Sequence, residues 1–449
     1  MPSRTRPSRR ILRTALLWLC LLPIAMPTLA QGLIRDAEIE HTLQLMARPL
    51  FRSAGLGRID ILVVDDSSLN AFVVDGKAIF MHRGMITKFR KTEMIQSVIG
   101  HELAHITSGH LIRRNLNLQG ANTAMGVGML LSIVAAAAGN GQAAGGIAAG
   151  TAASAQGVFF GHTRAEETVA DQIGVRYMVR AGIDPSAAID VLDIFRGQEA
   201  LSIGRQDPYA RTHPLSRDRI RAVKAQATAF GDRTSKTDPT LEYWAARMGA
   251  KFDGFTGNTN ATLRKVKKND TSEPADMIRA IAYHRQGKID LALKYVNRLL
   301  AKRPRDAYYH ELKGQILVEN RRAAQGVQSY KRAVDLAPRE PLILAGYGRA
   351  LLSLKTKSGD RQALQVLQKA RNLDARDARM LRDLAVAYAK ADNPGMASLV
   401  TAERYALNGR FADAHTNAKR AEGLLRRGSA GWLRSQDILG ATRAFAKKK

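Results

Sequence analysis

The chain has 449 residues, of which 45% are hydrophobic, and its formal net charge is +29 at pH 7. A chain of this length is too long for one ordinary compact core and predicts two domains. The composition excludes a disordered chain and a protein with many membrane spans. The basic excess favours anionic surfaces as partners. It does not indicate a nucleic acid partner, because no RNA- or DNA-binding motif accompanies it and the Lys and Arg residues are spread along helices.

Residues 1–30 have the three parts of a secretory signal peptide. Arginines crowd the start, Leu16–Met26 is apolar, and Thr28–Ala30 offers small residues for cleavage. We therefore predict a signal peptide at 1–30 and an exported protein, since the apolar run is short for a membrane anchor. Cys20, the only cysteine, lies in this segment. The exported chain can then form no disulfide and must hold any metal ion with His and carboxylate side chains.

Sequence patterns predict a small α+β unit in the first half of the chain. The predicted elements are a helix at 31–52, a strand at 59–64, a hairpin of strands at 71–74 and 78–81, helices at 92–114 and 163–181, and a loop at 204–216. The dipeptide Asp75-Gly76 suits the positive φ angles of the hairpin turn. We expect the strand Ala78–Met81 to pair with an extended substrate through backbone hydrogen bonds.

Residues 121–161 are rich in Ala and Gly and carry no charge. Their apolar stretch Met125–Ala138 is too short to indicate a transmembrane helix. Two interpretations of this segment stay open. It is either a helical hairpin buried in the protein, or a segment that faces a membrane or covers the active site.

The main motif is His101-Glu102-Leu103-Ala104-His105, an HExxH pattern inside the predicted helix at 92–114. Residues four apart on a helix lie one turn above each other, so the imidazoles of His101 and His105 can bind one metal ion. Glu102 lies on the same helix and can act as general base toward a metal-bound water. The motif therefore predicts one catalytic Zn²⁺ per chain.

A catalytic zinc ion also needs a third protein ligand and an open position for water. Glu167 is the candidate ligand, with Glu166 as its rival, because Glu167 lies one helical turn before Asp171. Asp171 can then accept a hydrogen bond from a ligand imidazole and orient it. His110 follows His105 by five residues, which is the wrong spacing for a further ligand, and on an unbroken helix it points well away from His101.

The second half of the chain has a 34-residue period. Ala280, Gly314 and Gly348 are 34 apart, each where two helices need a small residue at their contact, and a three-residue insertion is expected near 357–360. This period predicts tetratricopeptide repeats, which stack into a superhelix whose concave face binds peptides or proteins. The predicted domains are a signal peptide at 1–30, a metallopeptidase at 31–253, a linker at 254–273 and the repeats at 274–449.

Three motifs resemble those of the HtpX and CAAX-prenyl-protease family of zinc peptidases. They are HExxH at His101–His105, ExxAD at Glu167–Asp171, and an Asn-Ala-Phe strand at Asn70–Phe72. The export signal and the trailing repeats narrow the resemblance to the BepA-like branch, the β-barrel assembly-enhancing periplasmic proteases. It implies an α+β zincin-type (gluzincin) peptidase domain, mostly helical with a small sheet, followed by an all-α tetratricopeptide-repeat superhelix.

The resemblance also implies roles for particular residues. The implied zinc ligands and base are His101, His105, Glu167 and Glu102. The loop Thr212–Leu215 resembles the His-Pro loop of this family, in whose BepA-like branch the histidine can occupy the fourth position on zinc and keep the enzyme latent until substrate displaces it. His213 would take that role. Arg219 matches a family arginine near the catalytic centre, where Asp171 also belongs.

The implied function is a periplasmic zinc endopeptidase that degrades misassembled outer-membrane proteins. Its repeats would engage the client or the barrel assembly machinery, and its basic surface would favour peripheral contact with an anionic membrane. Two other functions stay open. One is a chaperone or scaffold whose metal site is normally closed by His213, and the other is a membrane-integral protease that spans the bilayer at 125–138.

Overall fold

The computed structural model of the protein describes residues 32–74, 76–89, 91–110, 163–202, 205–230 and 238–445. The predicted signal peptide at 1–30 and the Ala/Gly-rich segment at 121–161 lie outside the described residues, as does the end of the predicted helix at 92–114. Within the described ranges, no helix combines the length and the hydropathy that crossing a bilayer requires.

The first half of the chain folds into a four-stranded sheet surrounded by helices, in general agreement with the sequence pattern. Its elements are β1 (Leu33–Ile34), α1 (Ala37–Ser53), β2 (Asp60–Val64), β3 (Ala71–Val73), β4 (Ala78–His82), α2 (Arg83–Lys88), α3 (Thr92–Thr107), α4 (Arg164–Arg180), α5 (Ser186–Ile194), α6 (Pro208–Thr212) and α7 (Arg217–Phe230). The predicted loop at 204–216 therefore contains the short helix α6. Pro208 occupies the first turn of α6, where its missing N–H costs nothing.

The sheet has the strand order β1-β2-β4-β3. β3 runs antiparallel to β4 with Phe72 opposite Phe80, as the predicted hairpin requires, and β2 runs parallel to β4 with Ile61 opposite Ile79. Both edges of β4 are therefore hydrogen-bonded to neighbouring strands. The expectation that Ala78–Met81 pairs with substrate is wrong, because β4 has no free edge and β3 is the strand at the edge of the sheet.

One apolar core joins the sheet to α1 and α3. Leu43 and Leu50 of α1, Met81 of β4, and Ile99 and Leu103 of α3 are completely buried within it. Burying an aliphatic side chain of this size contributes about 1.5–3 kcal/mol. The helix that carries the HExxH motif is consequently anchored in this core through Ile99 and Leu103.

The second half of the chain is a stack of paired helices. It consists of α8 (Pro239–Thr256), α9 (Thr259–Lys265), α10 (Glu273–Arg285), α11 (Ile289–Lys302), α12 (Ala307–Glu319), α13 (Ala323–Leu336), α14 (Pro341–Ser353), α15 (Lys357–Leu373), α16 (Ala378–Lys390), α17 (Pro394–Leu407), α18 (Phe411–Leu424) and α19 (Ala430–Thr442). The segment 254–273, predicted as a linker, holds the end of α8 and the helix α9.

The small residues of the 34-residue period lie where the helices touch. A Cβ atom on Gly314 would be 2.6 Å from the ring of Tyr330, and one on Gly348 would be 2.5 Å from Leu367. Ala280 is completely buried. The helix α15 has 17 residues where α13 has 14, which accommodates the three extra residues expected near 357–360. Helix contact therefore explains why the period requires small residues at these positions.

Helix α8 joins the two halves, because it packs on both α1 and α10. The guanidinium of Arg247 on α8 contacts Glu38 of α1 and donates to Asp306, at the start of α12, at 2.6 Å. Lys251, one turn further along α8, donates to Asp36 at 2.8 Å. Arg247 and Glu38 are completely buried, so this charge network lies inside the protein and connects the sheet-bearing half to the helical stack.

Candidate metallopeptidase active site

Helix α3 brings the two histidines of the HExxH motif together. Their positions four residues apart place both rings on the same side of the helix. The Nε2 atoms of His101 and His105 are 3.0 Å apart, and the side chains are 8% and 0% exposed. Two imidazole nitrogens at this distance need a proton or a cation between them, because their lone pairs otherwise repel each other.

Helix α4 supplies the carboxylates. It begins with a capping box in which Glu166 accepts from the backbone N–H of Thr163, so the side chain of Glu166 is used at the helix end. Glu167 points instead toward α3, and its Oε1 lies 3.2 Å from Nε2 of His105. Asp171, one turn later, lies 3.1 Å from Nδ1 of His101. The structure thus distinguishes Glu167 from its rival.

Two glycines allow α3 and α4 to lie this close. A Cβ atom on Gly174 would be 3.2 Å from the backbone nitrogen of His101, and one on Gly100 would be 3.4 Å from the carbonyl oxygen of Gly174. Larger residues at this crossing would separate the helices. The distance between the histidines and the carboxylates therefore depends on the glycines of the crossing.

The chain returns to the site through α6 and the residue that follows it. The backbone N–H of Tyr209 donates to the carbonyl oxygen of Leu69 at 3.0 Å, and Nε2 of His213 lies 3.3 Å from the carbonyl oxygen of Ala71. These carbonyls are two residues apart, so they point to the same side of the backbone at the edge of the sheet. The segment 209–213 therefore covers the outer edge of the sheet at β3, the edge that faces away from β4.

Four donor side chains converge on one point. Possible ligand atoms of His101, His105, Glu167 and His213 all lie within 4.8 Å of one another. Nδ1 of His213 is 3.3 Å from Nε2 of His101 and 3.0 Å from Oε1 of Glu167. In a tetrahedral zinc site with bonds of about 2.05 Å, neighbouring donor atoms are about 3.3 Å apart. The observed spacing therefore fits one four-coordinate divalent ion.

The electrostatics of the cluster also favour a cation. Burial opposes ionisation of Glu167, but His213, Arg219 and His101 outweigh it and hold the pKa of this carboxyl well below its usual range. Burial likewise opposes charge on His101, yet Glu167 and the hydrogen bond to Asp171 raise the pKa of its imidazole to about 10. The pocket therefore contains an ionised carboxylate that stabilises positive charge at His101.

Glu102 and Arg219 lie next to these donors. Glu102 is completely buried, and its Oε1 is 3.5 Å from Nε2 of His213. Arg219 contacts Oε2 of Glu167 at 2.9 Å and donates to both oxygens of Asp171, at 2.7 and 2.9 Å. Its fork-shaped guanidinium thus connects the two carboxylates of α4 and restricts their rotation.

The structure brings together all seven residues singled out from the sequence: His101, Glu102, His105, Glu167, Asp171, His213 and Arg219. Sequence reasoning missed two neighbours. The ring centroid of Tyr209 lies 4.3 Å from that of His213, and burial together with Glu102 and Glu167 raises the pKa of its hydroxyl well above the usual value. His110 is buried and lies against His105. No spacing pattern identifies Tyr209, because it lies on the short helix α6, far in sequence from α3 and α4.

The comparisons with known proteins match both halves of the chain. Residues 34–227 match the model of peptidase family M48, and residues 279–341 and 312–375 match that of a tetratricopeptide repeat. The chain is 26% identical over 370 residues to the β-barrel assembly-enhancing protease of Escherichia coli (strain K12), covering 82% of this chain and 75% of that protein.

Two further similarities are more restricted. The mitochondrial metalloendopeptidase OMA1 of Schizosaccharomyces pombe is 28% identical over 206 residues, covering 41% of this chain and 51% of that protein. Among solved structures, a thermophilic TPR protein of Thermus thermophilus aligns with 37% of this chain and 99% of its own at 18% identity, with a TM-score of 0.29.

The family M48 match spans the histidine and carboxylate cluster, and the repeat matches fall on the stacked helix pairs. The similarity to the β-barrel assembly-enhancing protease of Escherichia coli extends over most of the chain and so includes both parts. The protein is therefore a metalloendopeptidase with a peptidase family M48 domain followed by tetratricopeptide repeats, similar to the β-barrel assembly-enhancing proteases.

Proposed function

We propose that this protein is an exported, zinc-dependent endopeptidase that cleaves unfolded or misassembled envelope proteins. In the resting enzyme, His213 would keep the zinc site inactive. The observation that carries the proposal is the position of Nδ1 of His213, 3.0 Å from Oε1 of Glu167 and 3.3 Å from Nε2 of His101. Catalytic zinc sites keep one position open for water, whereas sites with four protein ligands are closed. His213 would supply the fourth ligand.

The remaining donors fit the open form of such a site. His101, His105 and Glu167 form a His₂Glu set, which zinc hydrolases use, and the chain offers no cysteine there. A bound Zn²⁺ would supply Lewis acidity toward the scissile carbonyl and toward water. The ionised state of Glu167 would leave the ligand set with one negative charge, which suits a divalent ion with a net positive charge to spare.

The protein's own groups would perform the proton transfers and hold the ligands. Glu102, buried beside the donors, would take a proton from the attacking water and pass it to the leaving amine. Asp171 would accept a hydrogen bond from Nδ1 of His101, so that Nε2 keeps its lone pair for the metal. Arg219 would hold Glu167 and Asp171 in place through its two-pronged contact.

The segment 209–213 also suggests how substrate would enter. It occupies the carbonyl oxygens of Leu69 and Ala71 at the edge of the sheet, with which an extended peptide would pair. Substrate pairing there would displace His213 from both the edge and the ligand cluster. Recognition through backbone bonds tolerates many sequences but needs an extended chain, which favours unfolded clients.

The repeats would select the partner. They form a cavity of about 500 Å³ against β1 and α8, lined in part by Phe255, Tyr330, Arg349 and Arg379. The similar proteases of Escherichia coli are named for enhancing β-barrel assembly. We extend that partner class to this chain: outer-membrane proteins or their assembly machinery in the periplasm, with peripheral membrane contact favoured by the net charge of +29.

A chaperone or scaffold is the second candidate, and the same observation favours it. If His213 stays among the ligands, the repeats could bind clients without cleavage. The two functions differ in what happens when His213 is removed, because a protease becomes active and a scaffold does not.

Cleavage of unfolded casein by zinc-loaded protein tests the proposal. We expect slow cleavage by the wild type, faster cleavage by His213→Ala, and none by His213→Ala/Glu102→Gln. A His213→Ala protein that binds zinc but cleaves no better than the wild type would contradict the latent protease. If neither protein cleaves while both bind unfolded client, the scaffold becomes the better description.

A further inference from the structure

The active-site helix ends two residues before a glycine with a positive φ angle. Helix α3 ends at Thr107, and Gly109 follows with a φ of +66°, a conformation that glycine adopts without strain. The turn carries His110 back toward the helix it has just left. Nδ1 of His110 consequently lies 2.8 Å from Nδ1 of His105, a short hydrogen bond. The sequence-based expectation that His110 is not a ligand agrees with its absence from the donor cluster, but the unbroken helix on which that expectation relied ends at Thr107.

The two rings lie in a dry environment. His110 is 2% exposed and His105 is 0% exposed. The ring centroids are 5.1 Å apart with an angle of 64° between the planes, so the nitrogens face each other edge to edge. A hydrogen bond in such a place is worth more than one on the surface, because water does not compete for it.

The direction of this hydrogen bond follows from the other side of the His105 ring. Nε2 of His105 faces Nε2 of His101 and Oε1 of Glu167, so as a metal ligand it must present a lone pair there. The proton of a neutral imidazole is then on Nδ1. Nδ1–H of His105 donates to the lone pair on Nδ1 of His110, whose own proton is therefore on Nε2.

The same arrangement holds the other histidine of the motif. Nδ1 of His101 faces Asp171 at 3.1 Å, as Nδ1 of His105 faces His110. Nδ1 of each ligand ring thus has a hydrogen-bonding partner. For His101 the partner is a carboxylate from α4, and for His105 it is a neutral imidazole from the turn after α3. A neutral acceptor orients the ring without adding a further negative charge to a cluster that already contains Glu167.

We propose that His110 is a positioning residue for metal binding: it accepts the Nδ1–H of His105, fixes that tautomer and ring rotation, and so prepares Nε2 as a ligand. This inference rests on the proposed zinc site. It concerns metal affinity rather than bond cleavage, because His110 does not belong to the donor cluster.

Two substitutions separate orientation from packing. His110→Leu keeps bulk but removes the acceptor. His110→Asn places an amide oxygen where Nδ1 was, because Oδ1 of Asn and Nδ1 of His stand at the same distance from the backbone, so it should restore the hydrogen bond. His82→Asn is the matched control: it replaces another buried histidine, which lies at the end of β4 and contacts Ser68 and Asp66.

Zinc affinity measured by competition with a chelator is the first readout. We expect His110→Leu to weaken zinc binding roughly 10- to 100-fold, as loss of an orienting partner does, His110→Asn to stay within about threefold of the wild type, and His82→Asn to show no change. The unfolding temperature of the metal-free proteins shows whether packing is disturbed. Imidazole ¹⁵N chemical shifts of the zinc-loaded wild type should show the proton of His105 on Nδ1.

Equal zinc affinity in the wild type and His110→Leu would overturn the inference. An equal loss of zinc affinity in His110→Leu and His110→Asn, together with lower unfolding temperatures, would also overturn it, because that result indicates a packing role. A wild type that binds zinc and cleaves casein while His110→Leu binds zinc equally well refutes only the positioning role. A wild type that binds no zinc refutes the proposed function and the positioning role together.

Discussion

Replacing Arg247 with methionine should destabilise the whole protein, because this side chain holds three elements together. Its guanidinium is completely buried, contacts Glu38 on α1, and donates to Asp306 at 2.6 and 3.2 Å and to the hydroxyl of Tyr243 at 2.9 Å. It also lies 4.0 Å from the ring centroid of Tyr309. This group therefore contacts both the peptidase half and the repeats.

The magnitude follows from what the substitution leaves behind. Methionine fills the space but leaves the carboxylates of Glu38 and Asp306 without their main cation. Removing one partner of a buried ion pair costs about 3–5 kcal/mol, mostly as the penalty of a buried uncompensated charge. Lys251 remains 3.2 Å from Glu38 and reduces the loss, so we expect about 3 kcal/mol.

Urea unfolding followed by circular dichroism measures this cost. We expect Arg247→Met to lower the transition midpoint, because the repeats lose one of their links to α1. The triple variant Arg247→Met/Glu38→Gln/Asp306→Asn should recover most of the stability, since it leaves no uncompensated charge and Asn can still cap α12. Arg221→Met breaks only an exposed pair and should change stability by less than about 0.5 kcal/mol.

A change of less than about 1 kcal/mol in Arg247→Met would refute the reasoning, since it would mean that the buried charges relax into water without cost. The same conclusion would follow if the triple variant were no more stable than the single one.

Three further outcomes are expected. Gly314→Ala should lower the free energy of unfolding by about 1–3 kcal/mol, because its Cβ would lie 2.6 Å from the Tyr330 ring. Gly249→Ala, whose Cβ would have nothing within 4 Å, should raise it by about 0.5–1 kcal/mol. Thermal unfolding of both variants checks this. Gly174→Ala should weaken zinc binding roughly 3- to 10-fold in a chelator titration, because its Cβ would press on His101; unchanged affinity would show that the α3–α4 crossing tolerates the shift. Burial lowers the pKa of His82 to about 4. Below pH 6.5 the unfolded chain therefore binds a proton that the folded protein does not bind. The stability that neutral His82 contributes is complete above pH 6.5 and is lost, by up to about 3 kcal/mol, as pH falls toward 4. Over that pH window the urea midpoint of His82→Gln should therefore fall less steeply than that of the wild type.

Local patterns sufficed for those parts of the site that lie on one helix. His101 and His105 are one turn apart, as are Glu167 and Asp171, and helical geometry alone places each pair on one face. The repeats were predictable for a similar reason, because Gly314 and Gly348 recur wherever one helix must pass close to the next. In each case the physical constraint acts between residues that are near in sequence or repeated at a fixed period.

Contacts between distant segments had no such pattern. His213 approaches His101 across 112 residues, and only the family resemblance of its loop suggested this contact. Glu38 and Arg247 are 209 residues apart, and neither stands in a recognisable motif. The parallel pairing of β2 with β4 likewise depends on strand order, which alternation along one strand does not specify. This is why Ala78–Met81 was expected to pair with substrate.

The contact between His110 and His105 was unpredictable for a different reason. The helical pattern continues past the end of α3, whereas the helix stops at Thr107 and Gly109 follows with a positive φ angle. An isolated glycine inside a helical pattern is compatible with either a continuous helix or a helix end. The positive φ of Gly109, which only the folded chain reveals, decides between the two.

X-ray absorption at the zinc edge tests the central claim, a zinc site closed by a loop histidine, most directly. In the resting wild type we expect one zinc per chain with three imidazoles and one carboxylate, and in His213→Ala two imidazoles with the remaining donors being oxygen. Two imidazoles in both proteins would contradict the closed site, because His213 would then not be a ligand in the resting enzyme.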